Sequence, residues 1–221
     1  MDIKQYQLPT SAYNQEEHPK TQIFIHHTAG NSNPYSAIDW WKSQNNKIAT
    51  AFVIAGKPTT NKSKYADGDI IQAFPSKCWA YHLGLQSATY NKFSVPYISL
   101  DKISIGIELN NWGGLTKDAK GNYVTYVRTI VPEQEVIKLD KPYRGFEFYH
   151  KYTDAQLSSL KELLTAMCNK YGIPKTFNAN MFEVNKDALS GKPGIWTHTS
   201  VRYDKTDCSP QHNLIEMLKT I

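Results

Sequence analysis

The chain has 221 residues, enough to bury one substantial core and short for two full-sized domains. No apolar run approaches the roughly 18–20 residues that span a bilayer, and residues 1–6 lack the basic-then-apolar pattern of a secretory signal, so the expectation is a chain made in the cytoplasm, without membrane insertion. A net charge of +5 suits an acidic polymer or simply solubility, but the basic residues are scattered without a run of five, which excludes a nucleic-acid-binding tail.

Residues 22–26 read as a strand that ends in a polar pair, His26-His27. Asn33-Pro34 reads as an N-cap followed by proline at the first helical position, opening a short helix to about Asn45 with Ile38 and Trp41 on its apolar edge. Residues 51–54 and 70–74 read as strands, the second preceded by an Asp67-Gly68 turn, and 102–109 as a further strand with apolar alternation. Residues 113–150 contain β-rich pieces at 123–131, 134–139 and 145–149, broken by Pro132 and Pro142, and read as an inserted hairpin or a long ornamented loop. The strongest helix is 154–171. Thr153 and Gln156 form a capping-box pattern, Leu157, Leu160, Leu164, Met167, Cys168 and Tyr171 recur at helical spacing, and Gly172 and Pro174 stop it. Cys168 is thereby expected as a core thiol. A last helix begins near Gln211. Alternating strands and helices give an α/β or α+β chain with one central mixed sheet.

Three cysteines, Cys78, Cys168 and Cys208, are odd in number and far apart, which does not form a disulfide framework. Two places among the seven histidines stand out: the His26-His27 pair at a strand end, and His198, ten residues before Cys208. Imidazole and thiolate are good zinc ligands, and a catalytic zinc keeps one position open for water. The spacing alone leaves two readings open, a metal site or a core thiol beside a loop histidine.

Four separate pieces resemble, in order, the type 2 N-acetylmuramoyl-L-alanine amidases, a group that includes amidase-type phage lysozymes, bacterial wall-recycling amidases and animal peptidoglycan-recognition proteins. They are Ile25-His26-His27-Thr28-Ala29, Ala80-Tyr81-His82-Leu83-Gly84, Ser104-Ile105-Gly106-Ile107-Glu108-Leu109, and His198 followed by Thr206-Asp207-Cys208-Ser209-Pro210. Tyr152-Thr153-Asp154-Ala155-Gln156 is also similar to the family, and the resemblance covers residues 22–110 and 150–215. It implies a single catalytic domain over 1–221 in an α/β fold, the amidase/peptidoglycan-recognition-protein fold, with a central mixed sheet flanked by helices. Residues 1–20 would be an N-terminal extension and 113–150 an insertion.

The resemblance also implies roles. His26, His198 and Cys208 correspond to the ligands of a zinc ion, His26 being preferred to His27 because it directly follows the apolar residues of the strand. Glu108 corresponds to the carboxylate that activates the metal-bound water, and His82 to a groove residue that contacts substrate. Two positions depart from the pattern. A tyrosine common near the water is replaced by Thr50, and the lysine often found two residues before the last ligand is replaced by Thr206, with Lys205 displaced by one. Thr206 is then the expected oxyanion partner, with Lys205 as the alternative substrate contact. Tyr81, Trp112 and Trp196 lie beside the motifs and are candidates for a carbohydrate groove. The implied activity is hydrolysis of the amide between N-acetylmuramic acid and L-alanine in bacterial peptidoglycan, by a monomeric phage endolysin that reaches the wall from the host cytoplasm. The alternative is a peptidoglycan-binding module of the same fold without catalysis.

Overall fold

In the computed structural model the described residues are 1–44 and 46–221. The elements in chain order are β1 (Ile3–Gln5), β2 (Gln22–His27), α1 (Pro34–Ser43), β3 (Phe52–Ile54), β4 (Ile70–Gln72), α2 (Ser87–Lys92), α3 (Leu100–Ile103), β5 (Ser104–Leu109), β6 (Gly114–Lys117), β7 (Tyr123–Val124), β8 (Val136–Tyr143), β9 (Phe146–His150), α4 (Asp154–Tyr171), α5 (Lys186–Leu189), β10 (Gly194–Thr197) and α6 (His212–Leu218). Six strands form the central sheet in the order β1-β4-β3-β5-β2-β10. It is mixed: β10, β2, β5 and β3 run parallel, β4 is antiparallel to β3, and β1 is parallel to β4.

Every residue of β2 is buried. A strand covered on both faces reads as an unbroken apolar run, which is why Ile23-Phe24-Ile25 precede the histidines without alternation. Helix α4 is closed as its pattern predicts: Thr153 Oγ1 accepts from Gln156 N at 3.0 Å, Gln156 Oε1 accepts from Thr153 N at 3.3 Å, and Gly172 takes the left-handed conformation at φ 68°. Its stripe packs into the core, and Cys168 lies there as a buried free thiol. Helix α1 opens on Pro34, with Asn33 Oδ1 accepting from Tyr35 N, and ends at Ser43. The expected end near Asn45 falls outside the described residues.

Several boundaries differ from the sequence reading. Residues 100–103 form a helical turn, so β5 starts at Ser104. The strand expected over 70–74 ends at Gln72. Residues 3–5, expected in an extension, pair with β4 and complete one edge of the central sheet.

The segment 113–150 is neither a lone hairpin nor a loop. It builds a second, antiparallel sheet in the order β7-β6-β9-β8. Pro142 is accommodated because β8 is an edge strand whose register is interrupted between Lys138 and Tyr143. This sheet braces the chain on both sides of β10. Tyr143 Oη donates to the Phe182 carbonyl at 2.6 Å, and Arg144 donates to the carbonyls of Thr199 and Tyr203. Among the described residues no helix is long and apolar enough to cross a membrane.

Candidate active site

The carboxyl ends of β10, β2 and β5 lie side by side, the usual place for a site in a parallel sheet. In register, Thr197 pairs with Ile25 and His26 pairs with Glu108. His198 follows β10 directly in a single 3-10 turn, and is thereby set beside His26. Asp207 comes from the loop beyond that turn, held where Thr199 N donates to the Asp207 carbonyl at 3.1 Å.

These three side chains converge. His26 Nδ1 and His198 Nδ1 are 3.1 Å apart, and Asp207 Oδ2 is 3.2 Å from the first and 3.0 Å from the second. All three residues are buried. Proton placement shows what the cluster can hold. The Leu83 carbonyl, 3.0 Å from His198 Nε2, can only accept, so a neutral His198 carries its proton on Nε2 and points its Nδ1 lone pair at the cluster. The matching tautomer of His26 donates from Nε2 to His82 Nδ1 at 2.9 Å, and His82 in turn donates from Nε2 to Ser104 Oγ at 2.9 Å. Burial first, then the neighbouring His198, pushes the His26 pKa down to about 4, which favours the neutral ring. Burial alone would raise the Asp207 carboxyl, but His198 and His26 hold it well below its usual range. In these tautomers two nitrogen lone pairs and a carboxylate oxygen face one another, the arrangement that a cation stabilises. Ligands of a tetrahedral zinc with bonds of roughly 2.0–2.2 Å lie about 3.3 Å apart, so the spacing in this cluster fits a zinc-sized ion.

Asp207 stands third in this cluster, where the sequence reading expected Cys208. The physical reason is side-chain direction: adjacent residues leave the loop on different sides. Cys208 is fully buried in the apolar core beside the Tyr152 hydroxyl, and burial and the nearby Asp207 push its thiol pKa well up in the metal-free protein. Tyr152 Oη lies 2.9 Å from His27 Nδ1, while Ser209 N donates to the same hydroxyl at 3.4 Å. His27, Tyr152 and Cys208 thus form a separate layer behind the cluster. His27 comes within reach of Gly113, whose left-handed φ of 74° is joined by a lack of room: a Cβ there would stand 2.6 Å from His27 Nε2.

The remaining predicted residues gather around one cavity of about 680 Å³, lined among others by Glu108, Asn110, Lys205 and Thr206. Glu108 Oε2 is buried without a hydrogen-bond partner. Burial and Asp207 raise its pKa well above the usual value, with Lys205 acting in the opposite sense. His82 lies under the cluster, hydrogen-bonded to His26, and also lines the cavity. Its backbone N–H and that of Leu83 donate to Asp101 Oδ1 at 2.8 and 3.0 Å, which fixes the segment. Gly106 in β5 makes the room: a Cβ there would meet Thr50 Cγ2 at 2.7 Å and His82 Nδ1 at 3.0 Å. Thr50 is buried and spends its hydroxyl on the Phe52 carbonyl. Counted from Asp207, Lys205 stands two residues earlier, so the apparent one-residue displacement of the lysine disappears.

Of the aromatic candidates, Trp196 is buried, Tyr81 is exposed, and Trp112 lines a neighbouring cavity. Sequence reasoning passed over Trp40 and Tyr126, which line the cavity of the cluster. No motif marks either of them, and only the pairing of distant strands brings Tyr126 there.

A family model described as N-acetylmuramoyl-L-alanine amidase matches residues 16–211. A search of the curated proteins finds no match. Among solved structures the chain is similar to that of PlyL, with 12% identity over 99% of this chain and 98% of the other at a TM-score of 0.54. It is also similar to the catalytic domain of XlyA, with 13% identity over 100% and 98% at 0.54, and to a mutant endolysin from Bacillus subtilis, with 14% identity over 99% and 97% at 0.53. At such identities these likenesses establish the shared α/β fold.

Proposed function

Because the chain belongs to the N-acetylmuramoyl-L-alanine amidase family, we propose that it is a zinc-dependent hydrolase that cuts the amide between N-acetylmuramic acid and L-alanine in bacterial peptidoglycan. His26, His198 and Asp207 are the residues that hold the zinc. The observation that carries this reading is their convergence, with donor atoms 3.0–3.2 Å apart, at the ends of adjacent parallel strands.

Bound zinc supplies a Lewis acid that makes a water nucleophilic near neutral pH. Glu108, one strand over from His26, takes the proton from the attacking water and returns it to the leaving L-alanine nitrogen. Its environment suits the task, since burial and Asp207 make it a stronger proton acceptor than an exposed glutamate. Lys205 lies on the cavity wall and counters the negative charge that develops on the carbonyl oxygen, with the Thr206 hydroxyl beside it. With Asp207 as the last ligand, Lys205 takes the oxyanion role that the sequence pattern gave first to Thr206. His82 orients the His26 ring through its hydrogen bond, as outer partners of ligating histidines do.

The setting we propose is a phage endolysin acting as a monomer on the wall, consistent with the likeness to the Bacillus subtilis endolysin. Release of stem peptide from purified peptidoglycan, with and without a chelator, tests the activity. Cleavage lost on chelation and restored by zinc is the expected result. Bound zinc without cleavage would instead favour a recognition module, and cleavage indifferent to chelation would remove zinc from the account.

A further inference from the structure

The cavity of the metal cluster has an apolar rim that the amide chemistry does not use. Trp40 on α1 is 54% exposed, Ile48 between α1 and β3 is 41% exposed, and Tyr126 beyond β7 is 72% exposed, yet all three line that cavity. Single exposed apolar residues are ordinary on a protein surface, but three around one polar cleft form a patch of the kind that meets a ligand.

Tyr126 is also held in place. Thr125 N donates to the Thr129 carbonyl at 2.9 Å, Arg128 N donates to the Thr125 carbonyl at 2.9 Å, and Thr129 N donates to Thr125 Oγ1 at 3.1 Å. A bridge between Val124 and Ile130 closes the turn, and Arg128 sits in the left-handed region at φ 67°. The ring is therefore presented from a fixed backbone, so binding orders little beyond two side-chain torsions. Past the turn, Ile130 lines a second cavity of about 930 Å³, and Asn31 borders both cavities. The segment thus runs along an extended path, as a polymer requires.

We infer that this turn of the second sheet is a substrate wall, in which Tyr126, with Trp40 and Ile48, packs against sugar rings of the glycan strand neighbouring the muramic acid at the cleaved bond. The inference rests on the amidase reading. The glycan fits this rim better than the stem peptide does, because the apolar C–H faces of sugar rings pack on aromatic rings. A stem peptide carries carboxylates and amines, whose complements, Lys57, Glu135, Lys151 and Asp154, lie in the second cavity.

The test compares two substrates, insoluble peptidoglycan and a soluble muramoyl peptide with one sugar, for wild type, Tyr126→Ala, Tyr126→Phe and Trp40→Ala. Tyr126→Ala and Trp40→Ala should each raise KM on the polymer about tenfold, leave kcat unchanged, and leave both constants unchanged on the fragment. Tyr126→Phe, which keeps the ring, should restore KM on the polymer. An unchanged polymer KM in Tyr126→Ala overturns the inference and leaves the amidase reading standing. An equal loss on both substrates also overturns it, since the ring would then act through the fold. A wild type that cleaves neither substrate overturns the amidase reading itself, and the wall falls with it.

Discussion

Two layers on either side of β2 hold nearly the same chemical groups and use them differently. On one side His26 meets His198 and Asp207; on the other His27 meets Tyr152, with Cys208 beside it. Both histidines are buried, and burial pushes both rings down to about 4. In the second layer the Tyr152 hydroxyl lies between His27 Nδ1 and the Ser209 N–H, while His27 Nε2 is buried with no hydrogen-bond partner among the described residues. In the first layer the outer nitrogens are already bound to Leu83 and His82, and the inner atoms are left facing one another. Burial and residue type therefore do not make a metal site. In the front layer the Leu83 carbonyl and His82 hold the outer nitrogens and so aim the inner lone pairs at Asp207, as the proposed metal site requires.

Removing Asp207 should separate the layers most sharply. Asp207→Ala should lower the rate of stem-peptide release by more than the 10–100-fold typical of outer partners of a metal site, because a ligand is gone. A smaller loss would place Asp207 outside the metal's own contacts. Glu108→Gln should reduce kcat by about 10²–10⁴ while metal analysis finds the zinc still bound. Full activity in that variant would mean that another group moves the proton.

The rear layer should respond in stability and not in metal content. Tyr152→Phe leaves His27 Nδ1 without its partner and should cost about 1–3 kcal/mol in denaturant unfolding, with zinc retained. Loss of zinc in this variant would join the two layers into one site. A further effect is a graded one. His26 and His27 titrate near 4 in the fold and near 6.5 unfolded, so the unfolded chain binds more protons as pH falls across that window. Each contributes a loss of about 1.4 kcal/mol per pH unit to the metal-free protein. Glu108, with its raised pKa, opposes them, while His82, also held low by burial, adds to the loss. Urea unfolding between pH 4 and 7 measures it, and stability that is flat or rises toward acid would contradict the buried neutral rings.

The sequence was legible wherever one strand or one helix decides the outcome. The apolar run before His26 and the capping box at Thr153 stand in the structure where their patterns put them, and the strand expected over 102–109 is present from Ser104 on. The placement of His198 beside His26 follows from pairing of β10 with β2, a strand that the sequence reading did not include. Asp207 was hidden by its neighbour. A preference for thiolate over carboxylate ranks residue types, but it carries no information on which of two adjacent side chains turns inward. One signal was available: Lys205 stands two residues before Asp207, the spacing the family resemblance implies for the last ligand. The second sheet was visible only as β-rich pieces, because its order depends on pairings between distant segments, and Tyr126 comes to the cavity only through that order.

Zinc content of Asp207→Ala and Cys208→Ser, purified side by side with the wild type, tests the central claim most directly. The account predicts about one zinc per chain in wild type and Cys208→Ser, and none retained by Asp207→Ala. Zinc kept by Asp207→Ala and lost by Cys208→Ser would contradict it, and would return the third ligand to the thiol.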